Sequence, residues 1–248
     1  MAKRNNLSGY SHVKVRTAID AEIVRSDSFS IDVETGPLSP VSIRKKGEAL
    51  TFSRPWYWFL VGFFFQLSRA RAKIGMPSLH ELVINDNSST SVAGFSSSDE
   101  FKLTLSRASV FSGDLKTGDA MIEVSDSSQA EFNGTCKHIL LKVRGTSALS
   151  GVIDAAGDAD IVLSDNSVIK LSGSAGNTTA TINHGSTADL SGFQTHDVSI
   201  KMYRLSRCMI KLDGRLDAML NGASDLRYFG TPAMGNTSVS TGSILRQE

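Results

Sequence analysis

Cysteine is nearly absent. Two residues, Cys136 and Cys208, in a chain of 248 cannot supply a disulfide framework, so stability has to come from packing. Proline is scarce too, and four of the five (Pro37, Pro40, Pro55, Pro77) precede residue 82. Beyond that point almost every backbone N–H is available to a hydrogen-bond ladder. No apolar run reaches the roughly 18–20 residues of a bilayer-spanning helix. The opening "MAKRNNLSGYSHVKV" is basic but has no apolar stretch behind it, so it does not read as a secretory signal. From the sequence alone a cytoplasmic or membrane-associated location is expected. The net charge is +1, so no nucleic-acid partner is expected from bulk charge.

What is present is unevenly placed. Residues 1–81 carry 12 Lys and Arg against 7 Asp and Glu, while residues 82–248 carry 14 against 18. Aromatic residues make up 7% of the chain, yet "PWYWFLVGFFFQL" at 55–67 holds Trp56, Tyr57, Trp58, Phe59, Phe63, Phe64 and Phe65. Basic residues flank this run, with Arg44, Lys45 and Lys46 before it and Arg69, Arg71 and Lys73 after it. It is apolar all round and, as a helix, about 20 Å long, short of the roughly 30 Å hydrocarbon core. Three roles compete: a plug over an open core, a self-association surface, and an interfacial membrane anchor. The candidate membrane or partner contacts are Trp56, Trp58, Phe59, Phe63, Phe64, Phe65, Arg69, Arg71 and Lys73.

From residue 82 the chain repeats. A serine recurs at Ser88, Ser109, Ser128, Ser147, Ser167, Ser186, Ser206, Ser224 and Ser243. Four positions earlier stands an apolar residue each time: Ile84, Leu105, Val124, Val143, Leu163, Ile182, Met202, Leu220 and Val239. Glycine recurs six positions after the serine at Gly94, Gly134, Gly173, Gly192 and Gly230, where a corner would need an unusual backbone angle. About nine coils of roughly 19 residues, each stacked about 4.8 Å on the last, form a parallel β-solenoid. Before the array, "HVKVRT", "AEIVRSD", "FSIDVE", "VSIRKK" and "ALTFS" alternate like strands. They do not join the 19-residue register and are expected to form an antiparallel cap over the first coil. The chain thus divides into a β cap at 1–81, carrying the aromatic insertion, and β-helix repeats at 82–248.

"LSRASVFSGDLKTGDAMIEVSDSSQAEFNG" resembles the serine-glycine-alanine-serine cadence of the putative auto-transporter adhesin, head GIN domain family. "LNGASDLRYFGTPAMGNTSVSTGSI" resembles that family's closing turn, with Tyr228, Gly230 and Pro232 in its Tyr-x-Gly-x-Pro pattern, and "AKIGMPSLHELVINDNSSTSVAGF" resembles its first coil. The resemblance covers about residues 12 to 246. It implies a right-handed parallel β-helix in a bacterial protein, typically of the cell envelope, and carries over no catalytic residue. Members usually begin with an export signal or lipoprotein cysteine, and this chain departs from that pattern, as it does in the aromatic insertion.

The chemistry points away from catalysis. A nucleophilic serine needs a positioned base, and none of the five histidines shares the serine spacing. Ser109, Ser128, Ser147, Ser167, Ser186 and Ser224 are expected to be a structural ladder, each hydroxyl donating to the serine one coil away. Asp86, Asp126 and Asp165 share the column two before the serine, but two coils apart they are about 10 Å from one another, too far for one calcium. No metal, cofactor or catalytic residue is expected. The expected function is a non-enzymatic binding or structural module, adhesin-like, with a protein or carbohydrate ligand. A membrane surface or a homo-oligomer would be engaged through 55–67. A carbohydrate-active β-helix enzyme is the alternative, and a cleft holding three or more close carboxylates would favour it.

Overall fold

The computed structural model describes residues 2–4, 7–36, 40–55, 69–240 and 242–248. Among these there is no helix. The strands are β1 (Ala2–Arg4), β2 (His12–Arg16), β3 (Ile19–Arg25), β4 (Ser30–Glu34), β5 (Ser42–Lys46), β6 (Ala49–Ser53), β7 (Ala70–Met76), β8 (Glu81–Asn85) and β9 (Ser89–Ser96), continuing in the same alternation to β24 (Ala233–Val239) and β25 (Ile244–Gln247). Even-numbered strands from β8 onward build one sheet and odd-numbered strands from β9 onward the other, each strand parallel to the equivalent strand one turn away. Side chains alternate in and out along most strands, with breaks in β9 and β19 (Thr187–Thr195) where Val92 and Phe95, and Leu190 and Phe193, both face inward, so the core is a stack of inward columns between two sheets. Ile84, Leu105, Val124, Val143, Leu163, Ile182, Met202 and Leu220 are all buried.

The solenoid extends further toward the N-terminus than the serine spacing suggests. β2 pairs in parallel with β8 and β3 with β9, so residues 12–25 form a complete level of the coil. β6 pairs in parallel with β2 on its other side, and β7 with β3, which adds one more level from residues 49–76. "HVKVRT", "AEIVRSD" and "ALTFS" therefore belong to the parallel stack, correcting the expectation that they stay out of its register. The antiparallel cap is made by the other strands: β4 lies antiparallel on β7, β1 on β4, and β5 on β6. With those three set aside, eleven parallel strands remain in each sheet, two more than the nine coils expected.

The coil turns from one sheet to the other at a corner of two residues in the left-handed region, followed by the serine. Asp86 and Asn87, Arg107 and Ala108, Asp126 and Ser127, Asp165 and Asn166, and Arg204 and Leu205 all have φ between 55° and 63°. Asp and Asn tolerate that geometry best, which explains their recurrence before the serine. Four of the recurrent glycines, Gly94, Gly134, Gly173 and Gly230, have the unusual positive φ expected, though within or at the end of strands and not at the corner itself, and the close approach of neighbouring levels is a second demand. Gly134 and Gly173 lie inside strands of the odd-numbered sheet, and a Cβ there would sit 1.9 Å from Leu115 O and 2.1 Å from Ile153 O. Only a residue without a side chain lets adjacent levels approach so closely.

The tight corner also explains the serine. At Ser186 and Ser243 the backbone N–H reaches a carbonyl of its own corner, Asn183 O at 3.3 Å and Ser240 O at 3.0 Å, but at four other corners it points along the stack and finds none. Instead Ser109 N donates to Ser128 Oγ at 3.2 Å, and Ser128 N to Ser147 Oγ, Ser167 N to Ser186 Oγ and Ser224 N to Ser243 Oγ at the same distance. The hydroxyl proton goes back into its own corner: Ser109 Oγ donates to Ser106 O at 2.8 Å and Ser224 Oγ to Asn221 O at 2.8 Å. One hydroxyl thus satisfies two main-chain groups in a site sealed from water. The links run mainly through the backbone, whereas the sequence suggests hydroxyl-to-hydroxyl contact; Ser167 Oγ and Ser186 Oγ, 3.4 Å apart, come nearest to that.

Candidate functional site

Elsewhere the step between sheets is short, residues 17–18 between β2 and β3 or 86–88 between β8 and β9, but between β6 and β7 it takes residues 54–69. The aromatic run is thus an insertion in one corner of the outermost parallel level. Trp56, Trp58, Phe59, Phe63, Phe64 and Phe65 lie outside the described residues. The two roots of the insertion are within them. Arg54 is buried, and that burial, with the Arg69 charge beside it, lowers its guanidinium to about 10 against the pull of Asp20. Arg69 Nε lies 2.8 Å from Asp20 Oδ1, and its Nη2 donates to Asn87 O. Asp20, an outward residue of β3, therefore anchors the base of the insertion, a role that sequence spacing does not reveal.

Arg69, Arg71 and Lys73 do not form a free cationic flank. On the outer face of its sheet, β7 lies between β3 and β4, with Arg71 opposite Asp20 and Glu34, and Lys73 opposite Glu22 and Asp32. Lys73 Nζ sits 3.2 Å from Glu22 Oε1. These six residues line a shallow groove of about 580 Å³ in which carboxylates alternate with cations. Four carboxylates gather here, but Arg71 and Lys73 separate the pairs, and no three His, Cys, Asp or Glu among the described residues are placed to hold a metal.

The basic residues upstream of the insertion are on β5, opposite Ala49, Leu50 and Thr51 of β6 and no carboxylate. Arg44, Lys45 and Lys46 are all exposed on a strand that forms the edge of its sheet. The same end of the other sheet finishes in β1, whose sequence is Ala-Lys-Arg. Beneath the edges the core is closed by Tyr10, Ile31 and Val33. Tyr10 Oη donates to Gly75 O at 3.2 Å, its ring packs 4.7 Å from Phe29, and burial pushes its phenol up to about 12.

The remaining candidates are structural. Ser109, Ser128, Ser147, Ser167, Ser186 and Ser224 are all buried at the inner side of the corners. In the outward column Asp86 pairs with Arg107 at 2.9 Å, one level on, and Asp165 lies 3.7 Å from His184. Cys136 and Cys208 are free and buried; burial raises Cys136 to about 11 and pushes Cys208 up further, which disfavours the thiolate at neutral pH.

A two-sheet parallel β-solenoid closed at one end by antiparallel strands defines the class. Within it, the chain belongs to the family described as "Putative auto-transporter adhesin, head GIN domain", whose pattern matches residues 9–155 and 137–232. The fold is shared with the crystal structure of a putative adhesin from Parabacteroides distasonis: TM-score 0.72 and 17% identity over 100% of this chain and 96% of that one. A putative adhesin from Parabacteroides merdae gives 0.69 and 15% over 100% and 95%. A putative lipid binding protein from Parabacteroides distasonis gives 0.61 and 13% over 100% and 96%. No curated protein matches the sequence.

Proposed function

We propose that the protein is a non-enzymatic, adhesin-like module that attaches to a lipid surface through the 55–67 insertion, with the solenoid as the part held out from that surface. The observation that carries this reading is the position of the insertion. A corner that elsewhere takes two to four residues takes sixteen at this level, with both tryptophans of the chain among them, at the end of the molecule. Trp and Tyr favour the headgroup level of a bilayer, and an apolar segment too short to span one lies in the interface. The resemblance in fold to a protein named for lipid binding agrees with it. The interleaving of Arg71 and Lys73 with the groove carboxylates supports the non-enzymatic reading over a polysaccharide-cleaving one. Tryptophan fluorescence with phosphatidylcholine vesicles tests the attachment. A blue shift is expected, and Phe63→Ser/Phe64→Ser/Phe65→Ser, which keeps both tryptophans as reporters, should abolish it. A shift that follows protein concentration and ignores lipid would replace attachment by self-association, and a spectrum already blue and indifferent to both would leave a plug.

A further inference from the structure

We infer that the surface bound at this end is an anionic phospholipid surface and that the solenoid meets it end-on, with the basic edge strand β5 against the headgroups. This rests on the attachment reading above. The cations adjoining the insertion in sequence fall into two sets with different surroundings. Arg69, Arg71 and Lys73 are matched on the side of the solenoid by Asp20, Glu22, Asp32 and Glu34. Arg44, Lys45 and Lys46 are on the end. Ile43 and Lys45 face the same way as Phe52 and Leu50, their antiparallel partners, so Lys45 stands over the end of the core while Arg44 and Lys46 point outward. The nearby carboxylate, Glu48 in the turn from β5 to β6, accepts a hydrogen bond from Ser11 Oγ at 2.7 Å. The strand at the same end of the other sheet, β1, adds Lys3 and Arg4 in sequence, with Arg4 opposite Asp32 of β4. Both sheets thus finish here on strands that contain cations and no carboxylate.

The opposite end lacks this character. Its edge strands β24 and β25 read Ala-Met-Gly-Asn-Thr-Ser-Val and Ile-Leu-Arg-Gln, with the single cation Arg246. The side faces mix both signs. Concentrated charge of one sign beside an apolar insertion is therefore a property of one end, and attachment there sets the long axis upright. Eleven levels at about 4.8 Å make the upright solenoid about 50 Å tall, against about 20 Å for two packed sheets lying flat. Lysine on an edge strand also guards against edge-to-edge pairing. That guarding role predicts aggregation, and no change in lipid preference, when the charges are removed.

The experiment compares co-sedimentation of the full chain with vesicles of phosphatidylcholine alone and with added phosphatidylglycerol. The wild type is expected to bind the anionic vesicles about a hundredfold more tightly, the equivalent of roughly 1 kcal/mol for each of three cations, and to lose that gain at high salt. Arg44→Gln/Lys45→Gln/Lys46→Gln should bind phosphatidylcholine as the wild type does and show little anionic preference. Equal wild-type binding to both vesicles overturns the inference and leaves the attachment reading standing. Anionic preference that persists in the Gln variant, with or without aggregation, also overturns it. Anionic binding that Phe63→Ser/Phe64→Ser/Phe65→Ser leaves unchanged overturns the role of the insertion but keeps the basic end. Failure to bind either vesicle overturns both. Neutron reflectometry on a supported anionic bilayer reads the orientation: a layer of about 50 Å is expected, and one of about 20 Å rejects the end-on arrangement.

Discussion

The two ends of the solenoid meet the same problem with different means. Every interior level is covered by the levels above and below it, but a terminal level has a neighbour on one side only. At the N-terminal end β4 and β5 reverse direction, β1 pairs antiparallel with β4, Tyr10 closes the core, and cations lie on the edge strand β5. At the other end the pattern runs on without a cap among the described residues. Met234 and Val239 stand in the columns of Leu216 and Leu220, which are buried, yet they are 49% and 43% exposed. A repeat supplies its own interior. Closing it takes sequence that does not repeat, and the functional features gather where that sequence is.

The comparison can be broken most sharply by placing a charge in an inward column at each end. Ile74→Asp puts a carboxylate in a fully buried site beneath the cap and should cost about 3–5 kcal/mol, whereas Met234→Asp should cost less than about 1 kcal/mol. Equal shifts of the denaturant midpoint would mean that the C-terminal end is covered in solution. A smaller contrast lies in the serine column. Ser128→Ala leaves the buried Ser109 N–H without its acceptor and should cost about 1–3 kcal/mol. Ser243→Ala orphans Ser224 N–H in the last, half-open corner, where water can reach it, and should cost under about 1 kcal/mol. Thermal melts of the two variants decide whether burial or the serine itself sets the cost. The smallest effect has the opposite sign and belongs to the middle of the array. Leu205 is 68% exposed at φ 63°, a poor residue for that geometry. Leu205→Asn should raise stability by roughly 0.5–1 kcal/mol in a urea titration. A loss there would show that the exposed leucine makes a contact worth more than the strain it carries.

The repeat was legible because each corner imposes the same local demand: two residues in the left-handed region, then a hydroxyl, with an apolar residue four positions back. That demand fixes the register from Ser88 to Ser243. Residues 12–25 obey it too, with Val15 in the apolar column and Thr17 and Ala18 at positive φ, but Ile19 stands in the serine column and hides the match. Ile19 N still donates toward Ser88 Oγ, at 3.4 Å, so the corner is the same even where its marker residue is gone. The level built from 49–53 and 70–76 was less legible still, because the insertion separates its halves. The environment of Arg69, Arg71 and Lys73 could not be read from spacing at all. Asp20, Glu22, Asp32 and Glu34 sit at alternate positions of "IDAEI" and "SIDVE", and only strand pairing brings them alongside β7.

The route of the chain through the N-terminal levels has a consequence for synthesis. Later levels each rest on one made some twenty residues earlier, so a growing chain can extend the stack as it emerges. The level of β2 and β3 has no such neighbour. His12 pairs with Ala49 on one side and with Glu81 on the other, so its partners are both made after it. β2 and β3 are therefore the filling of a sandwich whose two slices come later in the chain. They must wait, with both edges open, until the insertion and the first repeat have followed.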